Sequence, residues 1–183
     1  MNKPAPFVAL LRGINVGKAK RIAMADLRQL VEELGFGEVH TLLNSGNVVF
    51  TARLRDAITA ANRIQTAIAS ALAVQSRVTV ISAAELARAI ADDPLTKIAV
   101  DPSKMLFAVA ADPLGMRALQ PLARQDWAPE ALALSDRIAW IWSPHGVLEG
   151  KAAAAINRAL KDAVTIRNRA TMEKLHALCI AIM

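Results

Sequence analysis

The sequence contains few of the residues from which disulfides and aromatic surfaces are built. Cys179 is the only cysteine, tyrosine is absent, and aromatic residues make up 4% of the 183 positions. An intrachain disulfide is therefore excluded, and a reducing compartment is the simplest expectation. No apolar run approaches the ~20 residues of a membrane span, and the N-terminus lacks the apolar segment of a secretory signal. We expect a soluble, cytoplasmic protein with no membrane partner.

Residues that carry out catalysis or bind metals are also few and scattered. His40, His145 and His176 stand far apart in the chain, and no group of His, Cys, Asp and Glu has the spacing of metal ligands. Ser45 lacks the G-x-S-x-G context of an activated serine, and no histidine is spaced to serve as its base. The sequence therefore predicts neither a metal site nor a cofactor, and it identifies no catalytic residue.

Positive charge is concentrated at the two ends of the chain. Residues 1–25 contain five cations and no acid, and from Lys151 onward six cations face two acids. The stretch between them, residues 26–150, carries 11 cations and 14 acids, within a net charge of +6. Basic ends around a slightly acidic middle indicate an anionic partner at a defined place. Solvated charges retained for solubility would give the same composition.

The hydrophobic pattern predicts an α+β fold made of two ferredoxin-like βαββαβ halves with a C-terminal helix. In the first half, residues 1–81, we expect strands near 7–11, 39–43, 48–51 and 77–81, with helices from Met24 and over 58–72. A Ser82–Glu85 capping box begins a helix and connector over 82–103. The second half, 104–183, repeats the element order: strands at 105–110, 131–134, 138–142 and 164–166, helices over 113–122 and 151–160, and a last helix from about 168.

This topology places two polar loops at one end of the first sheet. In a ferredoxin-like unit the first and second strands run parallel, and the third strand lies antiparallel between them. The exit of the first strand and the hairpin between the second and third strands therefore share an end. We expect the loop over residues 12–21 to be a neighbour of the turn over residues 44–47, and loops that converge in this way often form binding sites.

The loop over residues 12–21 combines glycines with cations, as an anion-binding loop requires. It does not match a nucleotide-binding P-loop, because only three residues separate Gly13 from Gly17 and Ala19 replaces the metal-binding hydroxyl. The alternative is that the glycines only turn the chain while the cations are solvated. The predicted ligand-binding residues are Arg12, Gly13, Asn15, Gly17, Lys18, Lys20, Arg21, Asn44, Ser45, Asn47 and Arg167.

Four segments of the chain resemble the DUF1697 family of bacterial proteins. They are Val8–Lys18 (VALLRGINVGK), Met24–Arg28 (MADLR), Ser45–Phe50 (SGNVVF) and Thr165–Thr171 (TIRNRAT). The first segment is long and specific, and the resemblance extends over nearly the whole chain. It implies a two-part α+β fold with ferredoxin-like halves, and it implies no established activity.

The sequence departs from the pattern of that family at three places. Arg169 and Ala170 stand where the family usually has Trp and Asn, and Gly150 precedes Lys151 where a Ser is usual. The resemblance therefore assigns no family role to Arg169 or Ala170.

Three functional hypotheses follow. The first is a module that binds a phosphorylated or other anionic ligand, a nucleotide or a nucleic acid, at the Arg12–Arg21 loop. The second is an enzyme acting on a small anionic substrate oriented by the same cations. The third is a self-associating structural protein, a homo-oligomer that uses the strand carrying Ile138, Trp140 and Trp142. The two tryptophans could also stack on bases, but core or interface packing is the stronger expectation.

Overall fold

The structure is a computed structural model that describes residues 3–17, 20–53, 57–146 and 149–183. The chain divides into two units. One unit is Met1–Leu86 together with Leu175–Met183, and the other is Ala87–Lys174. The α+β fold class and the two similar halves predicted from the sequence are confirmed.

The first unit contains one four-stranded antiparallel sheet with helices in the order βαββαβ. Its sheet order is β2-β3-β1-β4, so β3 and β4 flank the central β1. The elements are β1 (Ala5–Leu11), α1 (Met24–Glu33), β2 (Gly37–Leu42), β3 (Asn47–Ala52), α2 (Ala57–Leu72) and β4 (Val78–Ser82).

The second unit repeats this arrangement with a sheet of order β6-β7-β5-β8. The helix α3 (Ala83–Ala91) follows β4. The further elements are β5 (Met105–Ala110), α4 (Pro113–Arg117), α5 (Gln120–Ala123), β6 (Ala131–Leu134), β7 (Ile138–Trp142), α6 (Lys151–Leu160), β8 (Val164–Asn168) and α7 (Arg169–Ala181).

Each unit has its own apolar core between one face of its sheet and its helices. In the first unit Phe7, Ala9 and Leu11, at alternate positions of β1, belong to one buried cluster with the apolar stripe of α1 and α2. In the second unit alternate residues of β5, such as Leu106, cluster with buried residues of α6, such as Ile156. Removing this apolar surface from water is the main force that holds each layer together.

The helices α1 and α3 end and begin, respectively, at the signals that the sequence predicted. Gly35 follows α1 with a φ of 81°, and its amide donates to the carbonyl of Glu32 at 2.8 Å. The predicted capping box is present at α3: the Ser82 amide donates to Glu85 Oε2 at 2.8 Å, and the Glu85 amide donates to Ser82 Oγ at 3.2 Å.

The prediction of one helix over residues 113–122 was wrong. Asp112 does cap a helix, because its carboxylate accepts from the Leu114 amide at 2.8 Å. The helix α4 nevertheless ends at Arg117, and the separate short helix α5 begins at Gln120. Pro121 has no backbone N–H, so it cannot donate the hydrogen bond to the Arg117 carbonyl that a continuous helix would need, and it lies instead in the first turn of α5, where proline is tolerated.

Trp140, on β7, packs inside its own unit. Trp140 is 5% exposed, and its indole Nε1 donates to the Ala89 carbonyl at 2.9 Å. A buried ring with its only donor satisfied cannot stack on a base, so core packing is confirmed for Trp140.

Candidate functional site

The basic loop, which we define as residues 12–21, directly follows β1. Its first residue, Arg12, forms two backbone hydrogen bonds. The Arg12 amide donates to the Arg77 carbonyl at 2.9 Å, and the Arg12 carbonyl accepts from Ser76 Oγ at 2.9 Å. Both partners immediately precede β4, so the pairing of β1 with β4 continues one residue into the loop. The backbone that carries the half-buried Arg12 side chain is therefore held on both sides.

Asn15 closes the basic loop and joins it to the hairpin between β2 and β3. Its Nδ2 donates to the carbonyls of Ile22 at 2.9 Å and Asn44 at 2.8 Å, while its Oδ1 accepts from the Ile22 amide at 2.9 Å. Its φ is 56°, in the left-handed region that asparagine tolerates better than most residues. The prediction that the loop and the turn are neighbours is confirmed.

Gly13 and Gly17 present their backbone to solvent. Their φ values are 65° and 64°, and outside the glycine and its two chain neighbours no described atom lies within 4 Å of the position that a Cβ would take at either residue. Among the residues that the structure describes, the amides of Gly13, Val16 and Gly17 donate no hydrogen bond. Exposed amides beside left-handed residues are the donors from which anion-binding loops are made.

The hairpin turn packs directly on the basic loop. A Cβ on Gly46, whose φ is 77°, would stand 2.7 Å from Leu11 Cβ and 2.8 Å from Ile14 Cδ1. The Gly46 carbonyl accepts from the Leu11 amide at 2.8 Å. Only glycine allows the turn to approach the loop this closely.

The polar side chains of the turn serve the turn itself. Asn47 is fully buried, and its Nδ2 donates to the Leu42 carbonyl and to Ser45 Oγ, each at 2.9 Å. The sequence predicted Asn47 and Asn15 as ligand-binding residues, and the structure shows their amide groups engaged in holding the two loops. Asn44 and Ser45 are exposed beside them.

The strand pairing adds a cation that the sequence analysis did not include. Arg77 is exposed and directly precedes β4, beside Arg12. Three segments meet at this end of the sheet, and their described residues are 10–17 with 20–25, 42–48 and 73–78. These described residues contain no acid and four cations, which are Arg12, Lys20, Arg21 and Arg77. The predicted topology was the available signal, because an antiparallel β4 must begin where β1 ends.

Lys18 and Arg167 are two further residues that the sequence predicted for the site. Lys18 lies outside the described residues. Arg167 lies on β8 in the second unit, where its Nη1 donates to the Ile166 carbonyl at 2.9 Å. The described residues of the candidate site therefore all belong to the first unit.

The rest of the described chain shows little of the chemistry of an active site. Within the described residues, no three His, Cys, Asp or Glu side chains are grouped so that they could hold a metal ion. Burial raises the pKa of the Cys179 thiol to about 11, which keeps it protonated and unreactive at neutral pH. No helix among the described residues is long and apolar enough to cross a membrane.

Comparison with known proteins identifies the family of the chain. A family model described as "protein of unknown function (DUF1697)" matches residues 5–140, a range that includes the basic loop and the turn. The chain belongs to the DUF1697 family. The resemblance seen in the N-terminal and turn motifs is thereby confirmed for DUF1697, while the C-terminal segment over 165–171 lies beyond the matched range.

One solved structure supports the fold of this DUF1697 chain. It is a conserved bacterial protein, SP0830 from Streptococcus pneumoniae, with a TM-score of 0.74 and 23% sequence identity. The match covers 97% of this chain and 99% of that protein. At this identity the similarity shows a shared fold. No curated protein matches the chain.

Proposed function

We propose that this protein binds a phosphorylated ligand at the basic loop, as a nucleotide or a nucleic acid would offer. The observation that carries the proposal is the set of exposed amides at Gly13, Val16 and Gly17 beside the exposed side chains of Lys20 and Arg21. Amides and cations together are the two kinds of group that recognise phosphate oxygens.

The surroundings of the loop favour an anion. The described residues of the three segments that meet there contain no acid, and the first acid after the loop is Asp26, in the first turn of α1. The helix α1 begins directly after the loop, and its N-cap residue Ala23 forms no side-chain cap. The positive end of the α1 dipole adds to the field of the cations, and Asp26 in the first turn of α1 offsets part of it.

The hydrogen bonds of Arg12 and Asn15 order part of the loop before a ligand binds. They therefore reduce the conformational entropy that is lost on binding. Arg12 is held through both of its backbone polar groups, and the three hydrogen bonds of Asn15 join the loop to its neighbour. A binding loop that is already ordered loses less entropy when the ligand arrives.

The proposal is tested with a short single-stranded oligonucleotide, whose affinity is measured by fluorescence anisotropy over a range of salt concentrations. The variant combines Lys20→Ala, Arg21→Ala and Arg77→Ala. Each lost phosphate contact lowers the slope of log affinity against log salt by about 0.7, so the three changes should lower it by about 2. Inorganic pyrophosphate should displace the oligonucleotide from the wild type.

The matched control combines Arg117→Ala, Arg124→Ala and Arg158→Ala, three exposed cations of the second unit. It removes the same charge from another place and should keep the wild-type slope. If both triple variants lose the same slope, binding depends on net charge alone, and the basic loop is not the site.

A further inference from the structure

Two large apolar side chains stand in solvent beside the cations of the basic loop. Val16 is 72% exposed and Leu43 is 52% exposed. They directly follow and precede Asn15 and Asn44, which are joined by the 2.8 Å hydrogen bond between the two loops. The basic end of the first sheet therefore presents apolar and positively charged groups together.

The local backbone keeps these side chains at the surface. Asn15 and Leu43 both have a positive φ, 56° and 57°, and the Asn15 amide donates to the Lys20 carbonyl at 3.0 Å. A left-handed conformation at leucine is unfavourable and must be maintained by the surrounding structure. Val16 and Leu43 therefore lie in turns that leave both side chains in solvent.

Nucleotides, nucleic acids and phospholipid headgroups all carry phosphate. The exposed side chains of Val16 and Leu43 indicate which of these ligands fits the site. Proteins that bind single strands use aromatic rings on which bases stack. The loop and the turn, residues 12–22 and 43–46, contain no aromatic residue. Exposed aliphatic groups beside cations are instead the combination that enters the headgroup region of an anionic bilayer.

We infer that the basic loop docks on an anionic phospholipid surface, with Lys20, Arg21 and Arg77 on the headgroups and Val16 and Leu43 inserted among them. This inference rests on the proposed function and names the carrier of the phosphate. The sequence analysis expected no membrane partner because it found no spanning segment. A contact with the surface of a bilayer requires no such segment, and the inference departs from that expectation.

The test measures binding of the full chain to vesicles of phosphatidylglycerol and phosphatidylcholine, compared with vesicles of phosphatidylcholine alone. The variant combines Val16→Thr, which keeps the shape of the side chain, with Leu43→Asn, which suits the left-handed backbone. Its net charge is that of the wild type. The wild type should bind the anionic vesicles only, and the variant should bind them at least about fivefold more weakly.

The matched control combines Ile98→Thr with Val100→Thr. These side chains are 49% and 84% exposed on a loop of the second unit, so the control also removes two exposed aliphatic groups. The control should bind anionic vesicles as the wild type does. An equal loss in the control would overturn the inference, because any exposed aliphatic group would then serve.

Two further outcomes separate this inference from the proposed function. If Val16→Thr with Leu43→Asn binds vesicles as the wild type does, while the Lys20, Arg21 and Arg77 variant does not, lipid insertion is overturned and phosphate binding stands. If neither variant changes binding to vesicles or to the oligonucleotide, both proposals fall. If the apolar variant weakens oligonucleotide binding as much as vesicle binding, the aliphatic groups do not distinguish lipid from nucleic acid, and lipid insertion is overturned.

Insertion has its own spectroscopic readout. Cys179 is buried with a raised pKa, so a Val16→Cys variant can be labelled at the loop with an environment-sensitive dye. The emission should shift to the blue on anionic vesicles. A dye that keeps its aqueous emission while the protein is bound would contradict insertion.

Discussion

At the scale of single residues, Asn15 is the side chain on which the candidate site depends most. It combines a left-handed backbone with three side-chain hydrogen bonds that reach Ile22 and Asn44. The sequence predicted Asn15 as a ligand contact. A polar side chain in a basic loop can bond either a ligand or the protein backbone, and the sequence alone does not show which. Its bond to Asn44, 29 positions along the chain, exists only once β1 and β3 are paired.

We predict that Asn15→Gly lowers the free energy of unfolding by about 2 kcal/mol, because net losses of about 0.5–1.5 kcal/mol per hydrogen bond are typical. Asn15→Ala should cost about 1 kcal/mol more, since alanine also strains the left-handed backbone. Urea unfolding of the two variants beside the wild type measures both effects. Equal stability of all three proteins would show that Asn15 does not hold the loops.

At the scale of elements, the approach of the β2–β3 turn to the basic loop is fixed by one glycine. Gly46 and Gly13 both have positive φ values, yet a Cβ on Gly46 would meet Leu11 and Ile14 while one on Gly13 would meet nothing. The two positions therefore separate backbone strain from steric contact.

Gly13→Ala should lower the free energy of unfolding by about 1 kcal/mol through backbone strain alone. Gly46→Ala should lower it by about 3 kcal/mol, since forcing atoms into packed surroundings adds about 1–3 kcal/mol. Thermal and urea unfolding of the pair would measure the difference. A Gly46 variant as stable as the Gly13 variant would mean that the turn can move away from Ile14 without cost.

The element order was predictable from the sequence because strands and helices carry their own periodicity. The proximity of the basic loop to the β2–β3 turn was predictable too, because it follows from the βαββαβ topology. The break between α4 and α5 was missed because the apolar pattern continues across Pro121. Arg77 was missed because its place beside Arg12 depends on the pairing of Leu11 with Val78, a contact 67 positions apart in the sequence.

At the scale of the whole molecule, the two sheets share a detail that no sequence repeat reveals. Thr79 pairs with Leu10, one residue before the end of β1, and Thr165 pairs with Val109, one residue before the end of β5. Both threonines are 1% exposed, and within the described residues neither hydroxyl has a hydrogen-bond partner. The similarity of the two units therefore extends to a buried polar group at the same register.

A buried hydroxyl without a partner is destabilising, and valine has the same shape without it. Thr79→Val and Thr165→Val should each raise the free energy of unfolding by about 1 kcal/mol, measured by urea unfolding. Thr41→Val, at a half-buried position of β2, should stay within about 0.5 kcal/mol of the wild type. A loss of stability at Thr79 or Thr165 would show that the hydroxyl is in fact satisfied.

The central claim is that the exposed amides of the basic loop bind phosphate. It is tested most directly by titrating the isotope-labelled chain with inorganic phosphate at low salt and following backbone amide resonances. Those of Gly13, Val16 and Gly17 should shift and saturate. The amides of Gly35 and Gly146 should not shift, because each already donates to a carbonyl, at 2.8 and 2.9 Å. Unmoved loop amides, or equal shifts at the control glycines, would contradict the phosphate site.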